Sequence, residues 1–192
     1  MLTIIEFMFL KIIRALGALF IDFIETSVFA LLIFIFMYIF LFRPHQVKGN
    51  SMYPNFHDAE YLLTNKIVYH FYPIQRGDVI IFKAPQNEDY DYIKRVIGLP
   101  GETAMIANGN VYINNQQLNE SNYLDKQVKT SPGLFLTEGK KVTIPENEYL
   151  VLGDNRDFSS DSRDWGFVPK ENIIGKAWFR YWPFSKIGLV RS

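Results

Sequence analysis

The 192-residue chain has no cysteine, which excludes a thiol nucleophile, a disulfide framework and cysteine-ligated zinc. It has three histidines, His45, His57 and His70, and no His-Glu-x-x-His pattern, so we expect neither a metal nor a cofactor. Basic and acidic residues balance at 20 each and form no basic stripe, so we expect no nucleic-acid partner. Any chemistry must therefore come from hydroxyls, amines and carboxylates.

Residues 26–42 form an uncharged run rich in Phe, Ile and Leu, at the short end of the length that spans a bilayer. We predict a transmembrane helix, which Arg43 and Pro44 would end. A buried core helix is the alternative, but such helices rarely lack a polar face over this length. A removable signal peptide would need a small-residue cleavage site, and none follows.

Residues 1–25 differ from this run because they carry charges at helical spacing, at Lys11, Arg14, Asp22 and Glu25. Each charge would be costly at bilayer depth. We therefore predict an amphipathic helix lying along the membrane interface. Basic residues on the two sides of the predicted span nearly balance, so charge does not set its orientation.

Residues 43–192 carry mostly strand signals, and no long helical period follows residue 50. We predict a mainly β fold, in which the N-terminal transmembrane helix precedes a compact antiparallel β-sheet catalytic domain. Asn108-Gly109 marks a hairpin. Residues 114–141 are polar and poorly patterned, typical of a long loop or hairpin. The predicted strands are 78–83, 90–97, 104–113 (the hairpin), 142–144, 149–152 and 177–182.

A serine and a lysine stand in settings that suggest a hydrolase. Ser51 lies in the turn-like segment 49–54, which exposes a side chain and leaves backbone N–H groups free. Lys94 alternates with Tyr92 and Val96 along an apolar strand. Burial there would lower the pKa of the lysine, so that a neutral amine could take the proton of Ser51. Taken separately, Ser51 is also typical of an ordinary turn residue, and Lys94 of a surface lysine on an edge strand.

A third cluster, residues 153–163, is dense in small and charged side chains directly after an apolar strand. It is either a solvated loop with local salt bridges or a turn packed against a catalytic floor, where it would hold a hydroxyl near the lysine.

The most specific signal is the order of four segments along the chain. They are 49–54 (Gly-Asn-Ser-Met-Tyr-Pro), 76–80 (Arg-Gly-Asp-Val-Ile), 91–101 (Asp-Tyr-Ile-Lys-Arg-Val-Ile-Gly-Leu-Pro-Gly) and 153–166 (Gly-Asp-Asn-Arg-Asp-Phe-Ser-Ser-Asp-Ser-Arg-Asp-Trp-Gly). This pattern resembles the type I signal peptidases, the membrane-bound serine–lysine leader peptidases of bacteria. The short spacing between the segments is similar to that of the compact Gram-positive members.

The resemblance implies roles for particular residues. Ser51 would be the nucleophile, with its backbone N–H as one oxyanion donor, and Lys94 the general base. Ser159 would orient the Lys94 amine by a hydrogen bond. A serine supplies a second oxyanion donor in Gram-negative relatives, and that position is Gly49 here. The resemblance also implies two structural ion pairs, Asp154 with Arg95 and Asp161 with Arg163.

The resemblance also implies the substrate and the location. The substrate would be a secretory preprotein with small residues one and three positions before the cut. The chain would be a single-pass protein of the cell membrane, in contact with lipid, with its catalytic domain on the extracytoplasmic side.

Three rival interpretations remain beside a signal peptidase. A Ser-His-Asp hydrolase would pair Ser51 with His57 or His70. A self-cleaving repressor would use the same serine–lysine chemistry, but the predicted span and the lack of a DNA-binding region oppose it. A catalytically silent, membrane-anchored binding or regulatory protein would share the fold without turnover.

Overall fold

The structure is a computed structural model that describes residues 4–190. The chain divides into two units, Met1–Leu41 and Phe42–Ser192. Residues 1–3 and 191–192 of the predicted segments lie outside the described residues. The first unit is helical, and the second is built mainly from β-strands.

In the described part of the first unit there is a single helix, α1 (Ile4–Phe40), of 37 residues. At 1.5 Å per residue it is about 55 Å long, well beyond the ~30 Å of a bilayer's hydrocarbon core. By length and composition, Glu6–Tyr38 qualifies as a membrane span, with a mean hydropathy of 2.3. From Ile4 the helix continues without a break across the junction of the predicted segments 1–25 and 26–42, and it ends two residues before the predicted boundary. The interfacial position of residues 1–25 stays a prediction.

The second unit consists of twelve strands and two one-turn α-helices within the described residues. The helices are α2 (Val68–Phe71) and α3 (Ser162–Trp165). The strands are β1 (Phe42–Gln46), β2 (Tyr61–Asn65), β3 (Val79–Ala84), β4 (Asn87–Gly98), β5 (Thr103–Ala107), β6 (Asn110–Ile113), β7 (Gln116–Gln117), β8 (Val142–Thr143), β9 (Glu148–Leu152), β10 (Val168–Pro169), β11 (Ile173–Trp182) and β12 (Gly188–Leu189).

The strands form two antiparallel sheets. The larger sheet has the order β1-β2-β11-β3-β4-β9-β10, with β12 paired to β11, and the smaller has the order β7-β6-β5-β8. In the larger sheet, β4 pairs with β3 along most of its length but with β9 only from Arg95 onward. Among residues 4–190, one edge of β4 therefore has no strand partner up to Lys94, and β1 has none on the edge away from β2.

The core consists of three apolar clusters, and β3 contributes to two of them. Val79 and Ile81 pack in one cluster, while Ile80 and Phe82 pack in another. This strand is buried on both faces, which explains its continuous apolar sequence. A third cluster joins β5 and β6 of the smaller sheet to Leu150 and Leu152 of β9.

The predicted fold class, a mainly antiparallel β protein with one N-terminal apolar helix, is confirmed. The hairpin at Asn108-Gly109 is also confirmed, since β5 and β6 pair across these two residues. The strand β1 was missed because it follows the apolar run directly and contains Pro44, which an edge strand tolerates. Residues 114–141 contain one two-residue strand, β7, and are otherwise loop.

Candidate active site

Ser51 lies in the connection between β1 and β2, and that connection is held at both ends. Val47 N–H donates to Glu60 O, and Ala59 N–H donates to Val47 O. Met52 and Phe56 are buried in the cluster beneath. Anchoring on both sides of the serine gives its side chain a defined direction, although it lies in a loop.

The turn just before Ser51 depends on a glycine. Gly49 has φ +79°, a left-handed conformation that favours glycine. Its N–H donates to Asp58 Oδ1 at 2.7 Å, so this N–H is already committed. By contrast, the Ser51 N–H donates to no group of residues 4–190 and is available to an incoming oxygen.

Lys94 on β4 reaches this turn. Its Nζ lies 2.7 Å from Ser51 Oγ, although the two residues are 43 positions apart. The Lys94 side chain is almost completely buried, and its Nζ stands 5.4 Å from the centre of the Tyr92 ring. The pairing of Lys94 with Ser51, expected from the sequence, is thus present in the geometry.

The environment of Lys94 lowers its pKa from 10.5 to about 8. Burial is the largest cause, because it disfavours the charged ammonium. The carboxylates of Asp161 and Asp154 act in the opposite direction, and the Arg163 guanidinium lowers the pKa further. A substantial fraction of the amine is therefore neutral near pH 8 and able to accept a proton.

The loop after β9 packs directly on the serine turn. Asn155 N–H donates to Ser51 O at 3.0 Å, and Asn155 Nδ2 donates to Asn50 O at 2.9 Å. A methyl group on Gly153 would lie 2.4 Å from Ser51 O and 2.1 Å from Ser159 Oγ. The third cluster is therefore a turn packed against Ser51 and not a solvated loop.

Ser159 lies beside this turn but does not make its predicted hydrogen bond. Its Oγ is buried and has no hydrogen-bond partner among the described residues. The backbone oxygen of Ser159 accepts from Arg163 Nη2 at 3.1 Å. The structure thus brings the hydroxyl to the site and leaves it unpaired, and its role toward Lys94 stays a prediction.

Both expected ion pairs are present, and both are buried. Arg95 donates to Asp154 through Nε and Nη2, each at 2.8 Å. Arg163 donates to Asp161 through Nε at 2.8 Å and Nη2 at 3.0 Å. Asp161 also accepts from Gly153 N–H at 2.9 Å. Each pair fixes one part of the 153–163 loop relative to β4 or to Ser159.

Several residues that support the site were missed from the sequence. Asn55 Nδ2 donates to Asp154 Oδ2 at 2.8 Å and so ties the serine turn to the buried ion pair. Arg156 is buried, donates to Gly153 O at 3.0 Å and pairs with Glu120 at 2.5 Å. The density of charge in 153–163 was the available signal, but the partners Asn55 and Glu120 lie far away in sequence.

A groove of about 530 Å³ leads to Ser51 and Lys94. One wall is β1, and the other is the unpaired part of β4, residues 89–93. The walls meet where His45 Nε2 hydrogen-bonds to Asp91 Oδ2 at 3.2 Å. The apolar side chains of Leu62, Ile81 and Ile93 also line the groove. Two unpaired strand edges therefore face a cleft that ends at the serine.

His45 and His57 contact groups other than Ser51. His57 Nδ1 lies 2.9 Å from Lys186 Nζ and 3.4 Å from Glu60. His45 bonds to Thr64 and Asp91, and burial lowers its pKa. Within residues 4–190 no histidine hydrogen-bonds to Ser51, so the geometry gives no support to a Ser-His-Asp triad.

Comparison with known proteins agrees with the motif pattern. The family model described as signal peptidase, peptidase S26, matches residues 20–182. The chain is 38% identical over 170 residues to a probable signal peptidase I-1 of Synechocystis sp. strain PCC 6803, covering 85% of this chain and 83% of that protein. It is 38% identical over 158 residues to signal peptidase IB of Staphylococcus aureus, covering 77% and 81%. A crystal structure of a signal peptidase I from Enterococcus faecalis is 33% identical, covers 55% of this chain and 97% of that one, and has a TM-score of 0.43.

Proposed function

The chain belongs to the signal peptidase family, peptidase S26, and on that premise we propose that Ser51 is its nucleophile and Lys94 its general base. The chain is a membrane-bound serine peptidase that removes signal peptides. The family recognised from the four ordered segments is thereby confirmed. The observation that carries the assignment of the two residues is the 2.7 Å contact of Lys94 Nζ with Ser51 Oγ.

Acylation follows from this contact. The neutral Lys94 amine takes the Ser51 proton as Oγ attacks the carbonyl carbon of the scissile peptide. The carbonyl oxygen becomes an oxyanion, which the free Ser51 N–H would stabilise. When the C–N bond breaks, the Lys94 ammonium returns the proton to the leaving nitrogen. The signal peptide is then esterified to Ser51, and the mature protein departs with a new α-amine.

Deacylation repeats the same steps with water. Lys94 takes a proton from a water molecule, whose oxygen attacks the ester carbonyl. The ammonium then protonates Ser51 Oγ as the ester bond breaks, and this releases the signal peptide with a carboxylate. A single amine thus acts as base and acid in both halves, which requires a pKa near the working pH. A value of about 8 meets that requirement.

The supporting residues act through the backbone. The Arg95–Asp154 and Arg163–Asp161 pairs fix the 153–163 loop, and Asn155 of this loop holds the oxygen of Ser51. Ser159 would act through its side chain instead: its buried Oγ has no other partner in the described chain, so it would accept a hydrogen bond from Lys94 Nζ. These are positioning roles.

The proposed substrates are preproteins with small residues one and three positions before the cut. The unpaired edges of β1 and β4 offer backbone groups to an extended peptide, which would add as a strand in the groove. Side chains at alternate positions point the same way. Those at −1 and −3 would therefore both face the floor formed by Leu62, Ile81 and Ile93, which leaves room only for small groups.

We also propose the topology predicted from the sequence. Residues 26–42 would cross the cell membrane once, residues 1–25 would contact lipid at the interface, and residues 43–192 would form the extracytoplasmic peptidase domain. This placement puts Ser51 on the side to which a preprotein's cleavage site is exported. Protease added to intact spheroplasts should digest residues 43–192, and full protection of this domain would contradict the topology.

The test of the two roles is cleavage of a preprotein carrying an Ala-x-Ala site, in detergent or lipid. The wild-type chain should cut directly after the second alanine, and Ser51→Ala and Lys94→Ala should each abolish the cut. His70→Ala, an exposed change on α2, serves as the control and should retain activity. Cleavage that survives in Lys94→Ala would assign the base to another group, and no cleavage by folded wild type on several preproteins would favour the silent binding protein.

A further inference from the structure

A second cavity lies beside Ser51, apart from the groove. It has a volume of about 430 Å³ and is lined by Asn50, Tyr53, His57, Asp58 and Asn155. It is a shallow depression that is open to solvent. Tyr53, His57 and the Oδ2 atom of Asp58 take no part in the proposed catalysis. We call this cavity the leaving-side pocket.

The leaving-side pocket and the groove meet at the nucleophile. Ser51 lines the groove, while its chain neighbour Asn50 lines the pocket, and the two cavities share no lining residue. Asn155 bridges them, because it donates to Ser51 O and Asn50 O. A peptide that fills the groove up to its scissile carbonyl must continue past Ser51, and this pocket is the cavity next to that point.

Side-chain contacts hold the aromatic wall of the pocket in place. The Tyr53 ring is half-exposed and makes an edge contact with the His57 ring, at 5.1 Å between centroids. His57 in turn contacts Lys186 and the buried Glu60. An aromatic surface fixed in this way loses little conformational freedom when a peptide lies on it.

Asp58 gives the pocket its charge. The residue is exposed, and Oδ1 is occupied by the Gly49 N–H at 2.7 Å. Oδ2 accepts no hydrogen bond from the described residues. The nearby cation Lys186 is already engaged by Glu60, at 3.0 Å. Among residues 4–190, Asp58 forms no ion pair within 4 Å, so the pocket presents one carboxylate oxygen without an ion-pair partner.

We propose that the leaving-side pocket receives the first two residues of the mature protein, and that Asp58 favours a basic side chain at the second of them. In an extended chain the side chains at −1 and +2 point to the same side, while that at +1 points away. The +2 side chain thus faces the pocket when the −1 side chain faces the groove floor. The inference depends on the proposed role of Ser51 and concerns the opposite end of the same substrate.

The test uses full-length chain in a neutral detergent and peptides with a fixed Ala-x-Ala site and Lys or Glu at +2. Wild type should prefer Lys over Glu in kcat/KM by about 2- to 5-fold, the range of one exposed ion pair. Asp58→Asn should bring the ratio close to one, because it removes the charge but keeps an oxygen for the Gly49 N–H. The matched control is Asp125→Asn, another loop aspartate that accepts a backbone N–H, and it should keep the wild-type ratio.

Two further measurements separate a subsite from a structural effect. Discrimination between Ala and Val at −1 should not change in Asp58→Asn, since the groove is untouched. In wild type, raising the salt concentration from about 20 mM to about 0.5 M should shrink the Lys-to-Glu ratio, because salt screens exposed charges. This second measurement requires no variant.

Three outcomes would overturn the proposal. The first is a wild-type Lys-to-Glu ratio of one, and the second is a Lys-to-Glu ratio that survives in Asp58→Asn. The third is a change in Ala-to-Val discrimination at −1 in Asp58→Asn that is as large as the change at +2. Failure of wild type to cut any of the peptides is a different result, because it would refute the function on which the pocket depends.

Discussion

At the scale of the residue, Lys94 meets two opposing demands. Burial lowers its pKa to about 8 and thereby supplies a neutral amine. The same burial destabilises the fold at lower pH, where the amine is charged in a place that disfavours charge. Asp154 and Asp161, which attract the ammonium, are each already paired with an arginine. Removing the amine therefore leaves no carboxylate without a partner.

Lys94→Met should therefore give an inactive but more stable protein at pH 7. The folded-state pKa lies below the unfolded value of 10.5, so the unfolded chain binds more protons between these values and wild-type stability rises with pH through this window. A difference of two to three pKa units corresponds to about 3 kcal/mol. Chemical unfolding of both chains should show this difference in the free energy of unfolding at pH 7, and the difference should nearly disappear above pH 10.5. A Met variant that is less stable than wild type at pH 7 would contradict this.

Ser159→Ala tests the unpaired hydroxyl. Losing one hydrogen bond to the Lys94 amine should lower kcat about tenfold. Stability should stay within about 0.5 kcal/mol of wild type or rise, because the hydroxyl is buried without a partner in the resting structure and would bond to Lys94 only during catalysis. Kinetics and unfolding are measured on the same samples, with the exposed Ser121→Ala as control. Unchanged kcat would remove Ser159 from the positioning role.

The sequence was sufficient to predict that Ser51 and Lys94 lie together, but it gave no sign of Asn55 or Asp58. A lysine in an apolar strand is anomalous on its own, and the order of motifs made the pair specific. Asn55 and Asp58 act by single hydrogen bonds, to Asp154 Oδ2 and Gly49 N–H. A polar residue in a loop carries no sign of such a contact, since its partner is set by the fold.

At the scale of the element, the site depends on two loops that touch with no space between them. The serine turn and the 153–163 loop are joined by the hydrogen bonds of Asn155. Gly153 lies at the point of closest approach, where backbone of one loop meets backbone of the other. Backbone cannot move aside as a flexible side chain can, so this approach requires a residue without a side chain.

Gly153→Ala should therefore damage the site more than an alanine elsewhere. A methyl group 2.4 Å from Ser51 O must displace the serine turn. We expect a stability loss of about 1–3 kcal/mol, typical of overpacking, and loss of cleavage. Gly188→Ala is the matched control, because nothing lies within 4 Å of its added methyl. Wild-type activity in Gly153→Ala would show that the two loops are not rigidly coupled.

A strand or helix was predictable where a short stretch of sequence is enough to show its burial or its turn. The strand β3 reads as apolar because both faces are buried, and the hairpin of β5 and β6 is marked by Asn108-Gly109. β1 could not be separated from the preceding apolar run by composition. The groove was also not predictable, since it depends on where the pairing of β4 with β9 begins.

At the scale of the whole molecule, the chain combines an apolar helix with a separate β unit that has its own core. All residues of the proposed catalytic site belong to the second unit. The helix would contribute by keeping the enzyme at the membrane that also holds the signal peptide. Confinement of this kind raises the effective concentration without any new contact.

Exchange of α1 for an unrelated apolar helix of equal length should therefore preserve processing of a membrane-inserted preprotein. Deletion of residues 1–41 should lower that rate on the order of 100-fold, while leaving cleavage of a short soluble peptide within a few-fold of wild type. Both rates are measured in the same proteoliposomes. If the exchanged helix fails as badly as the deletion, α1 must act by its particular side chains.

The role of neutral Lys94 as the base is tested most directly by the pH dependence of kcat/KM for an Ala-x-Ala substrate. Below its pKa the neutral fraction falls tenfold per pH unit. If neutral Lys94 is the base, the rate should rise with this slope and level off above a pKa of about 8. A flat profile between pH 6 and 9, or a pKa near the ~6.5 of histidine, would contradict it.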